Sequence, residues 1–325
     1  MKIYLVFLLT TIILVSSNIK TFGQDNYLVY NKEIISCEQL IAENKFSQAI
    51  EHYETLFKKY DFIFLRDIKV ATQLCAYEKD FEAGFKFIRL GIANGWTLKN
   101  ISKDNKLKLF HKSPAWKNIE QEYDSLHNQY LLRLNMELKE QVHVMFKKDQ
   151  KKAFGAFVKI GQKAKRRYSE KKFAPHSEKQ MEKLNNILDR FGYPGEKLIG
   201  NDLWGSVILS HHNSISVKYN LNDTLYSNLK PKLIDALKKG EISTYEFAVI
   251  ADWRIAALNH HSLTSFGFLG SIPHSAYLKA VNKNRAEIGM RSIELQNKLI
   301  GIENDKGLNL YLPKGWQNGK ITVEN

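Results

Sequence analysis

Three ionisable side chains fall inside helical segments that are otherwise apolar. Asp252 and Arg254 lie in residues 245–258, which are apolar almost all round and therefore indicate a buried helix. His211 shares one helical face with apolar neighbours, so we expect it to point inward and His212 to point sideways. Together a histidine, a carboxylate and an arginine could support proton-transfer chemistry. His211 would act as general base, oriented by Asp252, with Arg254 stabilising an anionic group.

The spacing limits how these side chains can be satisfied. Asp252 and Arg254 lie about 200° apart on a helix and cannot pair with each other. A buried charge without a partner is costly, so each needs a partner on another element or must face a cavity. Gln150 similarly falls on the apolar stripe of a basic helix. A hydrogen-bonded core network is therefore an open alternative to an active site.

Metal and cofactor signatures are sparse. His211, Asp252 and one of three further histidines could form a zinc site, but no His-Glu-x-x-His motif or fixed ligand spacing accompanies them. There is no glycine-rich phosphate loop and no Gly-x-Ser-x-Gly motif. We therefore expect neither a metal nor a cofactor. The three further histidines are His260, His261 and His274.

The elements that carry these residues are predicted to be helices. Ser243 and Glu246 form a capping box at the start of the Asp252 helix. Residues 309–313 are expected to form a short strand after an irregular segment. The predicted helices cover about 177–191, 201–212, 224–239, 243–259 and 275–288.

The N-terminal part of the chain contains an internal repeat. An aromatic, a small and a bulky apolar residue recur at i, i+3 and i+7 with an offset of 35 residues, which predicts helix–turn–helix units at 32–62 and 65–95. This pattern resembles tetratricopeptide repeats. Two units are too few to be stable alone, so we expect them to pack on the following helices. The matched pairs are Phe46 and Phe81, Ala49 and Gly84, and Tyr53 and Ile88.

A basic stretch follows the repeats within a long helical segment predicted at about 115–168. Residues 147–172 hold eleven Lys or Arg residues against Asp149 and Glu170, and the apolar residues of this stretch share one helical face. The bases either form a solvated face or bind an anionic envelope component, such as lipopolysaccharide or anionic phospholipid, or an acidic envelope protein. No aromatic interleaving supports nucleic-acid binding.

Composition agrees with a mainly α protein. The 325 residues are 44% hydrophobic and 25% charged, with a formal net charge of +14. We predict a signal peptide at 1–23, either cleaved after Gly23 or, given the charge at Lys20, retained as an N-terminal anchor, and in both cases export to the periplasm or beyond. We predict tetratricopeptide-like repeats with a capping segment at 24–116, a basic helical connector at 117–172, and a compact, mostly helical domain at 173–325. Cys37 and Cys75 could form a disulfide or remain buried thiols.

Residues from about 134 to 300 resemble an uncharacterised bacterial domain family at several short landmarks. The resemblance implies that Gln150, His211, Asp252, Arg254 and Arg285 converge on one pocket. A tyrosine hydroxyl and a threonine typical of the family are absent here, which would weaken an enzymatic activity. The landmarks are Asp149-Gln150, Gly192-Tyr193-Pro194, Ser210-His211-His212, Asp252-Trp253-Arg254, Phe266-Gly267-Phe268 and Arg285 with Gly289-Met290.

Two functional hypotheses follow. The first is an exported binding or scaffold protein that uses its repeat helices for protein interaction. The second is a periplasmic hydrolase or transferase in which His211 is the general base, oriented by Asp252, and Arg254 or Arg285 binds an anionic group. Arg285, Gln150 and Gly267 would line the binding site.

Overall fold

The computed structural model describes residues 26–260, 263–269, 275–313, 320–321 and 323. The fold is mainly α-helical, as the sequence predicts, and no strand is present in these ranges. The predicted signal peptide at 1–23 lies outside the described residues, as do His261 and His274. Within the described ranges, no helix is both long enough and apolar enough to cross a membrane.

Consecutive N-terminal helices pack against one another, an arrangement compatible with helical repeats. Ala49 and Gly84 occupy the predicted small positions and are buried. A Cβ atom added to Gly84 would lie 2.2 Å from the Phe110 ring, so the small residue permits close packing. These helices are α1 (Tyr27–Ala42), α2 (Phe46–Phe57), α3 (Leu65–Glu78), α4 (Phe81–Ala93), α5 (Leu98–Lys103), α6 (Lys108–His111) and α7 (Trp116–Arg133).

The segment predicted as one long helix at 115–168 is instead three helices. After α7, Leu134 adopts an extended conformation, and the Asn135 side chain caps α8 (Met136–Phe157) by accepting a hydrogen bond from Leu138 N. A tight turn then leads to α9 (Gln162–Tyr168). An asparagine cap between two apolar helical patterns was the local signal for the first break.

A second group of helices builds a separate hydrophobic cluster with α8. The capping box of Ser243 and Glu246 is present, as predicted. The predicted helices in this part of the chain form within a few residues of their expected bounds, and α11 and α13 are additional. The helices of this part of the chain, all but α13 and α16 contributing to the cluster, are α10 (Ala174–Phe191), α11 (Glu196–Ile199), α12 (Leu203–Asn213), α13 (Val217–Asn222), α14 (Leu225–Lys238), α15 (Thr244–Leu258) and α16 (Ser275–Glu287).

The chain then returns to the N-terminal helices. A helix that the sequence analysis missed, α17 (Ile293–Lys306), packs on α1. Residues 309–313 do not form the expected strand. Instead Leu308, Leu310 and Leu312 join the cluster built by α1–α7, so their alternating burial reflects packing on helices rather than strand pairing. The domain boundaries remain a prediction.

The two cysteines are free thiols. Cys37 lies on α1 and Cys75 on α3, both fully buried in the N-terminal cluster. Burial raises the pKa of each thiol, because it disfavours the thiolate. Of the two alternatives, the structure has the buried thiols and not the disulfide.

Candidate functional site

Asp252 organises a loop rather than a catalytic histidine. Its fully buried carboxylate accepts hydrogen bonds from the backbone N–H groups of Ser265, Phe266 and Phe268 and from the Thr264 hydroxyl, at 2.7–2.9 Å. Burial raises the pKa of Asp252, and these donors oppose the rise. Among the described residues, no hydrogen bond joins Asp252 to His211. The predicted orientation of His211 by Asp252 is therefore replaced by another contact, described below.

Arg254 forms a buried ion pair with Asp223. Its Nη1 atom donates to Asp223 Oδ2 at 2.7 Å, and Nη2 donates to the backbone oxygen of Asn220 at 2.8 Å. Burial opposes ionisation of Asp223, but His212 and Arg254 outweigh it and lower its pKa to about 2. Arg254 thus holds the α13–α14 connection to α15.

The Asp223 carboxylate also contacts His212, whose side chain was expected to point to the side of the buried helical face. His212 is fully buried, with Nε2 3.3 Å from Asp223 Oδ1 and Nδ1 2.9 Å from the Ser177 hydroxyl. The set has the residue types of a hydrolase triad. Ser177 is itself fully buried, however, so no substrate could reach its hydroxyl. We interpret the set as a core network that ties α10 and α12 to the α13–α14 connection.

Arg285 and Gly267 support the loop that Asp252 caps. Arg285 is fully buried, and it donates to the backbone oxygens of Phe266 and Arg291 at 2.7 and 2.6 Å. Burial and the neighbouring Arg291 charge lower its pKa to about 9. Gly267 has φ +87°, which favours glycine, and its N–H donates to Thr264 Oγ1 at 2.8 Å. The binding roles assigned to both remain predictions.

His211 pairs with Asp149, the residue before the predicted Gln150. His211 Nδ1 lies 2.5 Å from Asp149 Oδ2; the carboxylate is fully buried, while 30% of the His211 side chain is exposed. The other carboxylate oxygen, Oδ1, is buried without a hydrogen-bond partner among the described residues. Because a carboxylate accepts, Nδ1 is the donor in this contact, and Nε2 is the ring nitrogen that the contact leaves free. This is how a carboxylate orients a general base.

Two orientation predictions on these helices were wrong. The buried stripe of α12 runs through Gly205, Ile208, Leu209 and His212, which puts His211 at its edge. On α8 the buried positions are Leu138, Val142, Met145 and Asp149, and Gln150 is half-buried. The spacing i, i+4, i+7, i+11 along α8 was a sequence signal that could have identified Asp149 instead of Gln150.

None of the four pockets characterised in the described part of the chain is lined by more than one of the five residues implied by the resemblance. Arg254 lines a cleft beside α14 and α15 that contains none of the other four. Asp252 and Arg285 are enclosed in the loop network, and His211 faces α8. The physical reason is that each buried ionisable group has its own local partner, an opposite charge for Arg254 and His211 and neutral hydrogen-bonding groups for Asp252 and Arg285, so the groups are distributed rather than convergent.

A pocket that the sequence analysis missed lies between the N-terminal helices and the second cluster. Its cavity volume is about 280 Å³, near the lower end for small-molecule sites. Aromatic side chains, four carboxylates and two arginines line it. They are Phe64, Tyr245 and Tyr311; Glu38, Asp67, Glu196 and Asp202; and Arg66 and Arg291.

Two of these carboxylates are neutralised locally. Glu38 is nearly completely buried and pairs with Arg291 at 2.5 Å and with Arg66 at 2.8 Å. Burial opposes ionisation of Glu38, but the two arginines outweigh it and lower its pKa. Asp67 accepts from Arg66 and from the Tyr30 hydroxyl at 2.9 and 2.7 Å. Both arginines are therefore already engaged by acids of the pocket wall.

The other two carboxylates have no ion-pair partner among the described residues. Glu196 accepts one hydrogen bond, from Leu65 N at 2.7 Å. Burial, with added repulsion from Asp202 and Asp67, raises the pKa of Glu196 to about 7. Asp202 is exposed at the pocket edge. The pocket thus has an acidic side, on which Lys69 and Arg133 act only from beyond ion-pair distance, in a chain of formal net charge +14.

Glu38 had a detectable sequence signal, because it falls between Ile34 and Ile41 on the buried face of α1. Glu196 had no such signal in the sequence, because its partner, the Leu65 N–H at the start of α3, lies 131 residues away along the chain. In the described ranges, the pocket included, no group of three or more His, Cys, Asp or Glu side chains is placed to hold a metal ion.

Comparisons with protein-family models, with curated proteins and with solved structures find no match for this chain. The resemblances to tetratricopeptide repeats and to the uncharacterised bacterial domain therefore remain predictions.

Proposed function

We propose that this protein is a binding protein whose pocket between the two hydrophobic clusters takes a small ligand with a cationic group. The observation that carries the proposal is the pair Glu196 and Asp202, two carboxylates without ion-pair partners in the described part of the chain, at a pocket walled by aromatic rings. An ammonium or guanidinium group would neutralise this side. It would also gain from the faces of Phe64, Tyr245 or Tyr311.

The pocket volume supports a ligand of modest size. About 280 Å³ suits a single amine-bearing ring or an amino-acid-sized molecule rather than a peptide or a nucleotide. Helix α1 and the start of α3 supply one wall, so the repeat-like helices would contribute to ligand binding. This differs from the protein interaction predicted for them, which stays a second use of the same helices.

The test is a binding titration with benzylamine as the probe, and with benzyl alcohol and benzoate as matched neutral and anionic probes. We expect benzylamine alone to raise the melting temperature, as any ligand of the native state does. Glu196→Gln should abolish the effect, and the control Glu51→Gln, at an exposed position on α2, should retain it. Equal effects of all three probes would contradict a cation site.

The pH dependence of binding gives an independent check. The pKa of Glu196 is raised to about 7, so the carboxylate is mostly protonated at pH 6 and mostly ionised at pH 8. Benzylamine remains protonated across this range. Its affinity should therefore rise by roughly tenfold between pH 6 and pH 8, and this rise should vanish in Glu196→Gln.

A second candidate function is general-base catalysis by His211, favoured by its 2.5 Å contact with the buried Asp149 carboxylate. Hydrolysis of p-nitrophenyl acetate and p-nitrophenyl phosphate would test it. If His211 is the general base, the rate of hydrolysis should fall by at least about a hundredfold in His211→Gln. His52→Gln, at a half-exposed histidine paired with Glu33, is the matched control. A rate equal in both variants would exclude His211 as the base for these reactions.

Export remains a proposal that rests on the sequence pattern of residues 1–23. Cleavage after Gly23 would make Gln24 the N-terminal residue of the mature chain. Mass spectrometry of the protein purified from its native cells would test this. An intact N-terminus would contradict cleavage.

A further inference from the structure

The last turn of α8 and its connection to α9 expose a cluster of large apolar side chains. Phe154, Phe157, Val158 and Ile160 are 62%, 77%, 55% and 95% exposed. The rings of Phe154 and Phe157 stack with centroids 6.1 Å apart. Contiguous exposed apolar groups of this kind mark an interaction surface rather than ordinary surface composition. We call these four residues the apolar tip.

Backbone and packing hold the tip at the end of a helical hairpin. Gly161 has φ +84°, which lets the chain turn directly from α8 into α9. Tyr168 on α9 donates from its hydroxyl to the backbone oxygen of Lys152 at 3.1 Å. A Cβ atom at Gly155 would lie 2.0 Å from that hydroxyl, so only glycine permits this approach. The apolar tip therefore lies at the end of a hairpin whose two helices are joined by the hydrogen bond between Tyr168 and Lys152.

Basic side chains lie along α8 and α9, in the connection between them and in the segment 169–173 that follows α9. Among the described residues, none of them takes part in an ion pair, and the two acids of the stretch are engaged elsewhere, Asp149 with His211 and Glu170 with Ser216. The positive charge is therefore uncompensated. The bases are Lys147, Lys148, Lys151, Lys152, Lys159, Lys163, Lys165, Arg166, Arg167, Lys171 and Lys172.

We propose that the hairpin is a peripheral membrane-docking element, in which the apolar tip inserts into the interface of a bilayer and the bases contact anionic phospholipid headgroups. Apolar side chains flanked by Lys and Arg are the arrangement of interfacial membrane anchors. An acidic protein partner fits less well, because lysine is depleted from protein interfaces and here it dominates. Charge complementarity thus selects an anionic lipid surface.

The test is co-sedimentation of the full chain with vesicles of phosphatidylcholine containing roughly one third phosphatidylglycerol, against pure phosphatidylcholine. The tip variant is Phe157→Ser with Ile160→Ser. The charge variant replaces Lys151, Lys152, Lys163 and Arg167 by Gln. Leu132→Ser with Leu221→Ser is the matched control, because these residues are 77% and 72% exposed but lie outside the hairpin. All positions are exposed, so circular dichroism should be unchanged.

We expect binding to the anionic vesicles only, weakened by at least about tenfold in the tip variant and in the charge variant and unchanged in the control. Absence of binding to anionic vesicles would overturn the proposal. Loss of vesicle binding in the charge variant, with no loss in the tip variant, would also overturn the proposal, because it would indicate an electrostatic contact without insertion. Tip-dependent self-association on a sizing column without lipid would also overturn it, with a second copy as the occupant.

Discussion

His211 and Asp149 are joined by a 2.5 Å contact between Nδ1 and Oδ2, although 62 residues separate them along the chain. The contact links α12 to α8. Its two partners differ in environment: Asp149 is fully buried, and His211 keeps part of its ring at the surface. Loss of the histidine would leave a buried carboxylate without compensation, whereas loss of the carboxylate would leave a histidine that water can reach.

His211→Ala should therefore destabilise the protein by about 2 kcal/mol, less than for a fully buried pair because the ring is partly exposed. The same change should cost less than half as much in an Asp149→Asn background, where no buried charge remains. Urea unfolding of the four proteins of this cycle measures both values. Equal costs in the two backgrounds would mean that the pair is not energetically coupled.

Glu196 predicts a pH dependence of stability. Its pKa of about 7 in the folded protein exceeds the usual 4.5, so the native state holds an extra proton between these values. The contribution to stability is present below pH 4.5 and is lost as pH rises to 7, by at most about 1.4 kcal/mol per pH unit. Relative to the wild type, Glu196→Gln should become more stable from pH 5 to pH 8, and Glu51→Gln should not. Parallel unfolding curves for wild type and Glu196→Gln would contradict this.

Asp252→Asn should disrupt the loop at 264–268. The amide presents an NH₂ group where the carboxylate accepts from backbone N–H groups, so at least one buried donor loses its acceptor. We expect a loss of about 2–4 kcal/mol and faster hydrogen exchange at 264–268. Asp305→Asn, at an exposed position near the end of α17, is the control. Unchanged exchange in Asp252→Asn would remove the organising role of this carboxylate.

Two glycine substitutions should act with opposite signs. Gly84→Ala puts a methyl group against the buried Phe110 ring, and overpacking of this kind costs about 1–3 kcal/mol. Gly301 lies inside α17 with nothing within 4 Å of its Cβ position, so Gly301→Ala should stabilise by about 1 kcal/mol through helix propensity. Thermal unfolding measures both. A stable Gly84→Ala variant would show that the α4 contact with Phe110 adapts readily.

The sequence predicted elements more successfully than side-chain partners. The repeat offset located the helices that contain Ala49 and Gly84, and the capping box located the start of α15, because both depend on residues close along the chain. The break at Leu134 and Asn135 was missed, although a cap residue marks it locally. The strand expected at 309–313 does not form, because its alternating leucines pack on helices.

The sequence alone determined that this chain is mainly α-helical and that 147–172 carries a concentrated positive charge. These properties follow from periodicity and composition, which are local. Only the tertiary structure decided that Asp149, not Asp252, holds His211, and that Glu196 meets the backbone of Leu65 beside an aromatic pocket. Partners of buried charges are chosen by three-dimensional packing across many residues, and helical periodicity specifies a face but not its neighbour.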